Sequence, residues 1–262
     1  MTSTAAPMLS YQSHGDGNAP ALVVLHGLFG SGTNWRAMAR HWSKRFTVHL
    51  VDARNHGDSP HAPTMTYDEM ANDVEQVIRK LAPDGAHLLG HSMGGKTAMR
   101  VALRGNVEVR SLVVADVAPV AYDHKFNHEL GVMKGLDING VKRRSDADAA
   151  LSAALPDAGL RAFLLQNLVL RDGAFHWRIN LEAIGNSIAD LTDFPAIHGQ
   201  FLQATTFVRG GLSHYVKDSH QSAITALFPR ASVVTVPQAG HWLHAEQPEP
   251  FARAVDAHFD SA

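Results

Sequence analysis

The sequence predicts an α/β fold, a mostly parallel central sheet flanked by helices with a helical segment inserted in the second half of the chain. Three observations predict it. Short apolar runs alternate with amphipathic ones through the first half, the pattern of βα units on a parallel sheet. That alternation stops after Pro119 and returns only at "TTFVRGG" (205–211). A single serine, Ser92, stands where an apolar run meets a helix-like run, with Gly90 and Gly94 two positions to either side.

The strands are predicted at "ALVVLHG" (21–27), "FTVHLVDA" (46–53), "AHLLGHS" (86–92) and "VRSLVVADVA" (109–118), then at 205–211 and "SVVTVP" (232–237). Residues 33–42, 68–82 and 93–104 read as the intervening helices, with a terminal helix near 249–259. The helix over 93–104 is expected to end on Gly105 in a left-handed C-terminal cap, with Gly95, Ala98 and Ala102 forming a narrow face against the sheet. Between Pro119 and the later strands, "DADAALSAAL" and "GLRAFLLQNLVL" are helical in character. Residues 1–119 and 196–262 therefore form the expected core, and 120–195 a helical cap over the strand ends.

Length and composition narrow the function. A chain of 262 residues buries a substantial single core. Its 23 Lys plus Arg against 25 Asp plus Glu leave a net charge of −2 without long runs of one sign, which argues against nucleic acid or anionic lipid as a partner. A small, roughly neutral molecule fits better. The absence of cysteine excludes disulfides, thiolate catalysis and sulfur-ligated zinc. No run approaches the 18 apolar residues of a membrane span. The start "MTSTAAPMLSYQ" lacks the basic and apolar stretches of a signal peptide, so a cytoplasmic location is expected. Nothing in the sequence marks an oligomeric contact.

Gly90-His91-Ser92-Met93-Gly94 has the form of a nucleophile elbow, a strained strand-to-helix turn whose neighbours at minus two and plus two must be small. The hydroxyl needs a general base, and His241 follows the last strand in "PQAGHWLHAEQP", at the carboxyl edge where catalytic groups of α/β sheets gather. His244 is the weaker candidate, expected to pack. His14, His56, His61 and His220 lie in polar or turn-rich segments and need no functional role. The acid is harder to assign, because Ser213 occupies the position after the penultimate strand where an aspartate is often found. Asp116, closing "SLVVAD", is the next carboxylate at the same sheet edge, with Asp218 as the alternative. Oxyanion donors are expected from the backbone N–H of Met93 and of Leu28 in "HGLFG", with Phe29 as the fallback.

The strings "LHGLFGSGTNW", "DARNHGDSP", "GHSMGGKTAM", "ADVAPVAY", "RGGLSHYV" and "AGHWLHAEQP" together resemble the α/β-hydrolase superfamily, and within it the small YbfF-type bacterial esterases and their mitochondrial abhydrolase-domain relatives. The resemblance covers nearly the whole chain. It implies the α/β-hydrolase fold with its cap after the strand that follows the elbow, hydrolysis of acyl esters or thioesters, no cofactor and no metal. It also implies an acid after that same strand, which maps onto Asp116. A perhydrolase, a cofactor-free haloperoxidase, an acyltransferase or a C–C bond hydrolase would use the same three groups. A non-enzymatic binding module would be expected to have lost one of them. Phe29, Phe163, Trp177 and Trp242 are the expected pocket residues, alongside apolar cap positions Phe126, Met133, Leu164, Leu168 and Phe175.

Overall fold

In the computed structural model, which describes residues 8–123 and 126–261, seven strands form one sheet. They are β1 (Tyr11–His14), β2 (Ala21–Leu25), β3 (Thr47–Val51), β4 (Ala86–His91), β5 (Val109–Ala115), β8 (Thr205–Gly210) and β9 (Ala231–Val236). A separate hairpin pairs β6 (Leu168–Arg171) with β7 (Ala174–Trp177). The sheet order is β1-β3-β2-β4-β5-β8-β9, with β1 antiparallel and every other pairing parallel. Residues 1–7, at the start of the segment read for targeting, lie outside the described residues.

β2 and β3 are buried along their whole length because helices cover both faces of the sheet. Alternate side chains serve opposite layers. Val23, Leu25, Leu88 and Leu112 face one cluster with Val74, Val77 and Ile78 of α2 (Tyr67–Leu81) and Ala98, Val101 and Ala102 of α3 (Met93–Arg104). Leu22, Val24, Val48, Leu50 and Leu89 face the other, with Met38 and Trp42 of α1 (Arg36–Trp42) and Phe251 and Val255 of α11 (Pro248–Ser261). Thr66 and Glu69 close a capping box at the start of α2. Gly105 takes φ 64° at the end of α3, the left-handed cap its position predicted.

Between β5 and β8 the chain forms α4 (Asn127–Gly135), α5 (Arg144–Leu151), α6 (Ala158–Leu165), the β6–β7 hairpin, α7 (Leu181–Asn186) and α8 (Ile188–Thr192). The short helices α9 (Gln221–Leu227) and α10 (Leu243–Glu246) precede and follow β9. The inserted elements are thus not all helical. "LVLR" and "AFHW" pair as strands because Asp172 and Gly173, at φ 50° and 81°, supply the tight turn that an Asp-Gly pair favours. Leu130, Met133, Leu164, Ile184 and Leu191 of the insertion pack with Leu28, Phe29, Tyr67 and Met93 of the sheet's carboxyl edge. Among the described residues, no helix is long and apolar enough to cross a membrane.

Candidate active site

Parallel pairing brings the ends of β2, β4 and β5 into line, with Leu25 opposite Gly90 and His91 opposite Ala115. The residue after β4 is Ser92, held at φ 52° and ψ −118°. Such a conformation costs a non-glycine residue about 1–3 kcal/mol, so its surroundings must enforce it. They do so through Ser92 N–H, which donates to Ala115 O at 3.0 Å, and through its carbonyl, which accepts from Lys96 N–H at 3.0 Å. Both flanking glycines are required by space. A Cβ on Gly90 would collide with the Gly94 carbonyl oxygen, and one on Gly94 would lie 2.5 Å from the carbonyl oxygens of Leu25 and His26.

Asp116 follows β5 and is fully buried, at φ 51°. Its carboxylate accepts three hydrogen bonds. Oδ2 receives His241 Nδ1–H at 2.8 Å and the Ser213 hydroxyl at 2.5 Å, and Oδ1 receives Gly210 N–H at 3.0 Å. Burial of an ion is tolerated only when its lone pairs are satisfied in this way. Because Nδ1 of His241 donates to a carboxylate, Nε2 is left as the basic nitrogen. The His241 ring stacks on Tyr215 at 3.9 Å between centroids, and its backbone carbonyl accepts from His91 Nε2 at 2.8 Å. Asp218 is elsewhere: it pairs with Arg209 at 2.7 Å and its side chain is 92% exposed. Of the two candidate acids, Asp116 is the one that meets His241. Ser213, which cannot replace the carboxylate, instead binds to it.

Ser92 and His241 line one cavity of about 1060 Å³. The hydrogen bonds of His241 run to Asp116 and His91, and none joins it to Ser92 Oγ. In a substrate-free site that contact is often long.

Of the expected oxyanion donors, Leu28 borders this cavity and Met93 adjoins it through Ser92. Leu28 and Ser92 line the cavity, and Met93 is the first residue of α3, whose N–H has no partner within the helix. Phe29, at φ 62°, is excluded as a donor because its N–H is taken by Nε2 of His56 at 3.2 Å. Its carbonyl accepts from Asn167 Nδ2 of the insertion at 2.8 Å. His56 therefore carries its proton on Nδ1, which donates to Arg54 O at 3.0 Å. Burial lowers its pKa to about 3. His26 does the same next door, accepting Ala53 N–H at 3.0 Å and donating to Gly27 O at 2.8 Å, with its pKa lowered by burial to about 4. His56, to which the sequence assigns no functional role, thus holds the peptide beside Leu28. Its sequence carries no local sign of this, since donor and acceptor are 27 residues apart.

Of the expected pocket residues, Phe29, Phe163 and Trp242 line the cavity, together with Phe126. Trp177 is not part of that wall. It pairs with Leu168 in the hairpin and packs within the apolar clusters of the insertion, where Met133, Leu164 and Leu168 are also buried. His244 stacks on Trp35 at 4.1 Å, and both border the cavity. The described wall includes Glu129, Asp157 and Glu246 but neither lysine nor arginine. Among the described residues no group of three or more His, Cys, Asp and Glu is arranged to hold a metal ion.

The chain has many relatives. The family profile described as alpha/beta hydrolase fold matches residues 20–248. A Mus musculus protein named sn-1-specific diacylglycerol lipase ABHD11 is 42% identical, over 92% of this chain and 81% of that protein. Esterase YbfF of Escherichia coli (strain K12) is 33% identical, over 91% of this chain and 92% of that protein. A solved structure described as a marine microorganism esterase superposes with a TM-score of 0.93 at 36% identity, covering 96% of this chain and 99% of that one. With the sheet order, the turn at Ser92 and these relatives in agreement, the chain belongs to the α/β hydrolase fold family.

Proposed function

We propose that the protein is a serine esterase that hydrolyses carboxylic esters of small to medium acyl groups through an acyl-enzyme intermediate. Ser92 attacks the acyl carbonyl while His241 Nε2 takes its proton. Asp116 holds the imidazole in the tautomer that makes this possible and stabilises the cation formed. The N–H groups of Leu28 and Met93 bind the developing oxyanion. His241 then protonates the departing alcohol, and a water molecule repeats the sequence to free the acid. Residues 120–195 act as the cap, and their apolar side chains shelter the acyl chain.

One observation carries this reading: the 2.8 Å hydrogen bond from His241 to a buried Asp116, on the same cavity as a serine in a strained turn. The relatives named as esterases and diacylglycerol lipases support ester substrates, and bring glycerides into range of a cavity this large. The wall's carboxylates disfavour polyanionic substrates such as acyl-coenzyme A thioesters. Ser92→Ala is expected to abolish hydrolysis of p-nitrophenyl butyrate and labelling by a fluorophosphonate probe. Full turnover by that variant would refute the assignment.

A further inference from the structure

Lys96, one turn beyond Ser92 on α3, is only 2% exposed. Lysine is rarely buried so fully unless its head group is paired. Here Nζ donates to two main-chain oxygens, Thr192 O at 3.0 Å and Asp193 O at 2.7 Å, while the Asp193 carboxylate turns to Phe194 N–H at 2.8 Å. Burial lowers the pKa of Lys96 to about 7, against a smaller opposing pull from Asp193. The amine keeps two N–H groups when neutral, one for each carbonyl, so the contacts survive loss of the proton.

Those two carbonyls lie where the inserted segment leaves α8 and returns to the core. Carbonyls at a helix end need donors from outside the helix. Tyr122, where the insertion begins, donates its N–H to the same Thr192 O at 2.9 Å, and Tyr67 of α2 donates its hydroxyl to Leu191 O at 2.8 Å. Lys96 Nζ lies over both rings, 4.8 Å from the Tyr122 centroid and 5.7 Å from that of Tyr67. Entry and exit of the insertion thus meet at one side chain. The main chain of the same residue reaches the nucleophile, because Lys96 N–H donates to Ser92 O at 3.0 Å. On the other side, Leu191 packs in the cluster that holds Leu130 and Leu164, and against that cluster rest Phe126 and Phe163 of the cavity wall.

We propose that Lys96 is a positioning residue that ties the root of the insertion to the helix behind the nucleophile, and so fixes how closely Phe126 and Phe163 approach the acyl chain. It sets the preference for acyl length without touching the reacting atoms. The inference rests on the esterase reading above and adds to it the group that holds the acyl wall in place.

The test compares p-nitrophenyl hexanoate with p-nitrophenyl acetate, which share a leaving group and differ only in acyl length. The longer chain draws on the insertion for its burial, and the acetyl group far less. The ratio of their kcat/KM values, hexanoate over acetate, does not depend on how much enzyme is folded, so a loss of stability alone leaves it unmoved. Lys96→Met keeps the length of the side chain and removes its donors, and the ratio is expected to fall about tenfold from its native value. Tyr67→Phe removes one hydroxyl from the same root and should lower the ratio about threefold, which carries the test if Lys96→Met yields no folded enzyme. A ratio that stays at its native value or rises in Lys96→Met, or in Tyr67→Phe where that variant alone folds, would overturn the proposal while leaving the esterase reading intact. If the native enzyme hydrolyses neither ester and Ser92 resists the fluorophosphonate, the two readings fall together.

Discussion

Ser213 donates its hydroxyl at 2.5 Å to the same Asp116 oxygen that receives the proton-bearing nitrogen of His241. The serine thus competes with His241 for that oxygen and orients the acid at once. Ser213→Ala leaves Asp116 with two donors, and kcat/KM for p-nitrophenyl butyrate is expected to fall about tenfold, the scale of one hydrogen bond to a charged group. Asp116→Asn removes the charge and reverses the tautomer preference, and should cost about 10⁴ in kcat. Steady-state kinetics on the two variants separates a supporting serine from an essential carboxylate.

Phe29 is clamped on both sides, its N–H by His56 and its carbonyl by Asn167. The neighbouring peptide is the one proposed to bind the oxyanion. Asn167→Ala and His56→Phe should therefore lower kcat about tenfold or more with little change in KM, because a misplaced donor weakens binding of the transition state alone. A rise in KM at constant kcat would place these residues in substrate binding instead.

How much of this was legible in the sequence depends on distance along the chain. Ser92 and its two glycines are legible because all three residue types fall within five positions, even though the carbonyls that crowd Gly94 come from the end of β2. Asp116 was ambiguous because its role depends on His241, 125 positions away, and on Ser213. The contact of His56 with Phe29 is hidden for the same reason, the two lying 27 positions apart. The β6–β7 hairpin was read as helix because "GLRAFLLQNLVL" is apolar with helical spacing, although the Asp-Gly pair that turns the chain stood just beyond it. Trp177 joined the expected pocket on residue type alone, and the hairpin carries it away from the cavity wall.

Gly94→Ala tests the packing behind the elbow. The added methyl would lie 2.5 Å from two carbonyl oxygens of the β2 end, so backbone must move. Overpacking of this kind costs about 1–3 kcal/mol, and Tm should drop by about 5 °C. Calorimetry measures the drop, and an unchanged Tm would mean that the start of α3 can move away from the β2 end freely.

Acid sensitivity follows from the buried histidines. Burial lowers His26 and His258 to about 4 and His56 and His244 to about 3, against 6.5 in an unfolded chain. Between those limits the unfolded state binds more protons than the folded one, so stability rises with pH. Stability is complete above about pH 6.5 and declines as pH falls toward 4, each histidine contributing up to about 1.4 kcal/mol per pH unit. Urea denaturation at pH 7.5 and pH 5.0 should give a clearly lower midpoint at pH 5.0. Equal midpoints would mean that these imidazoles are protonated without penalty.

His241 hangs from β9, an edge strand bound to the sheet only through β8. Ser92 and Asp116, by contrast, follow strands that are paired on both sides. Fraying of that margin would strip the base from an otherwise assembled core. Loss of turnover should then precede the main unfolding transition in rising denaturant, so that the enzyme is silenced while most of its sheet is still intact.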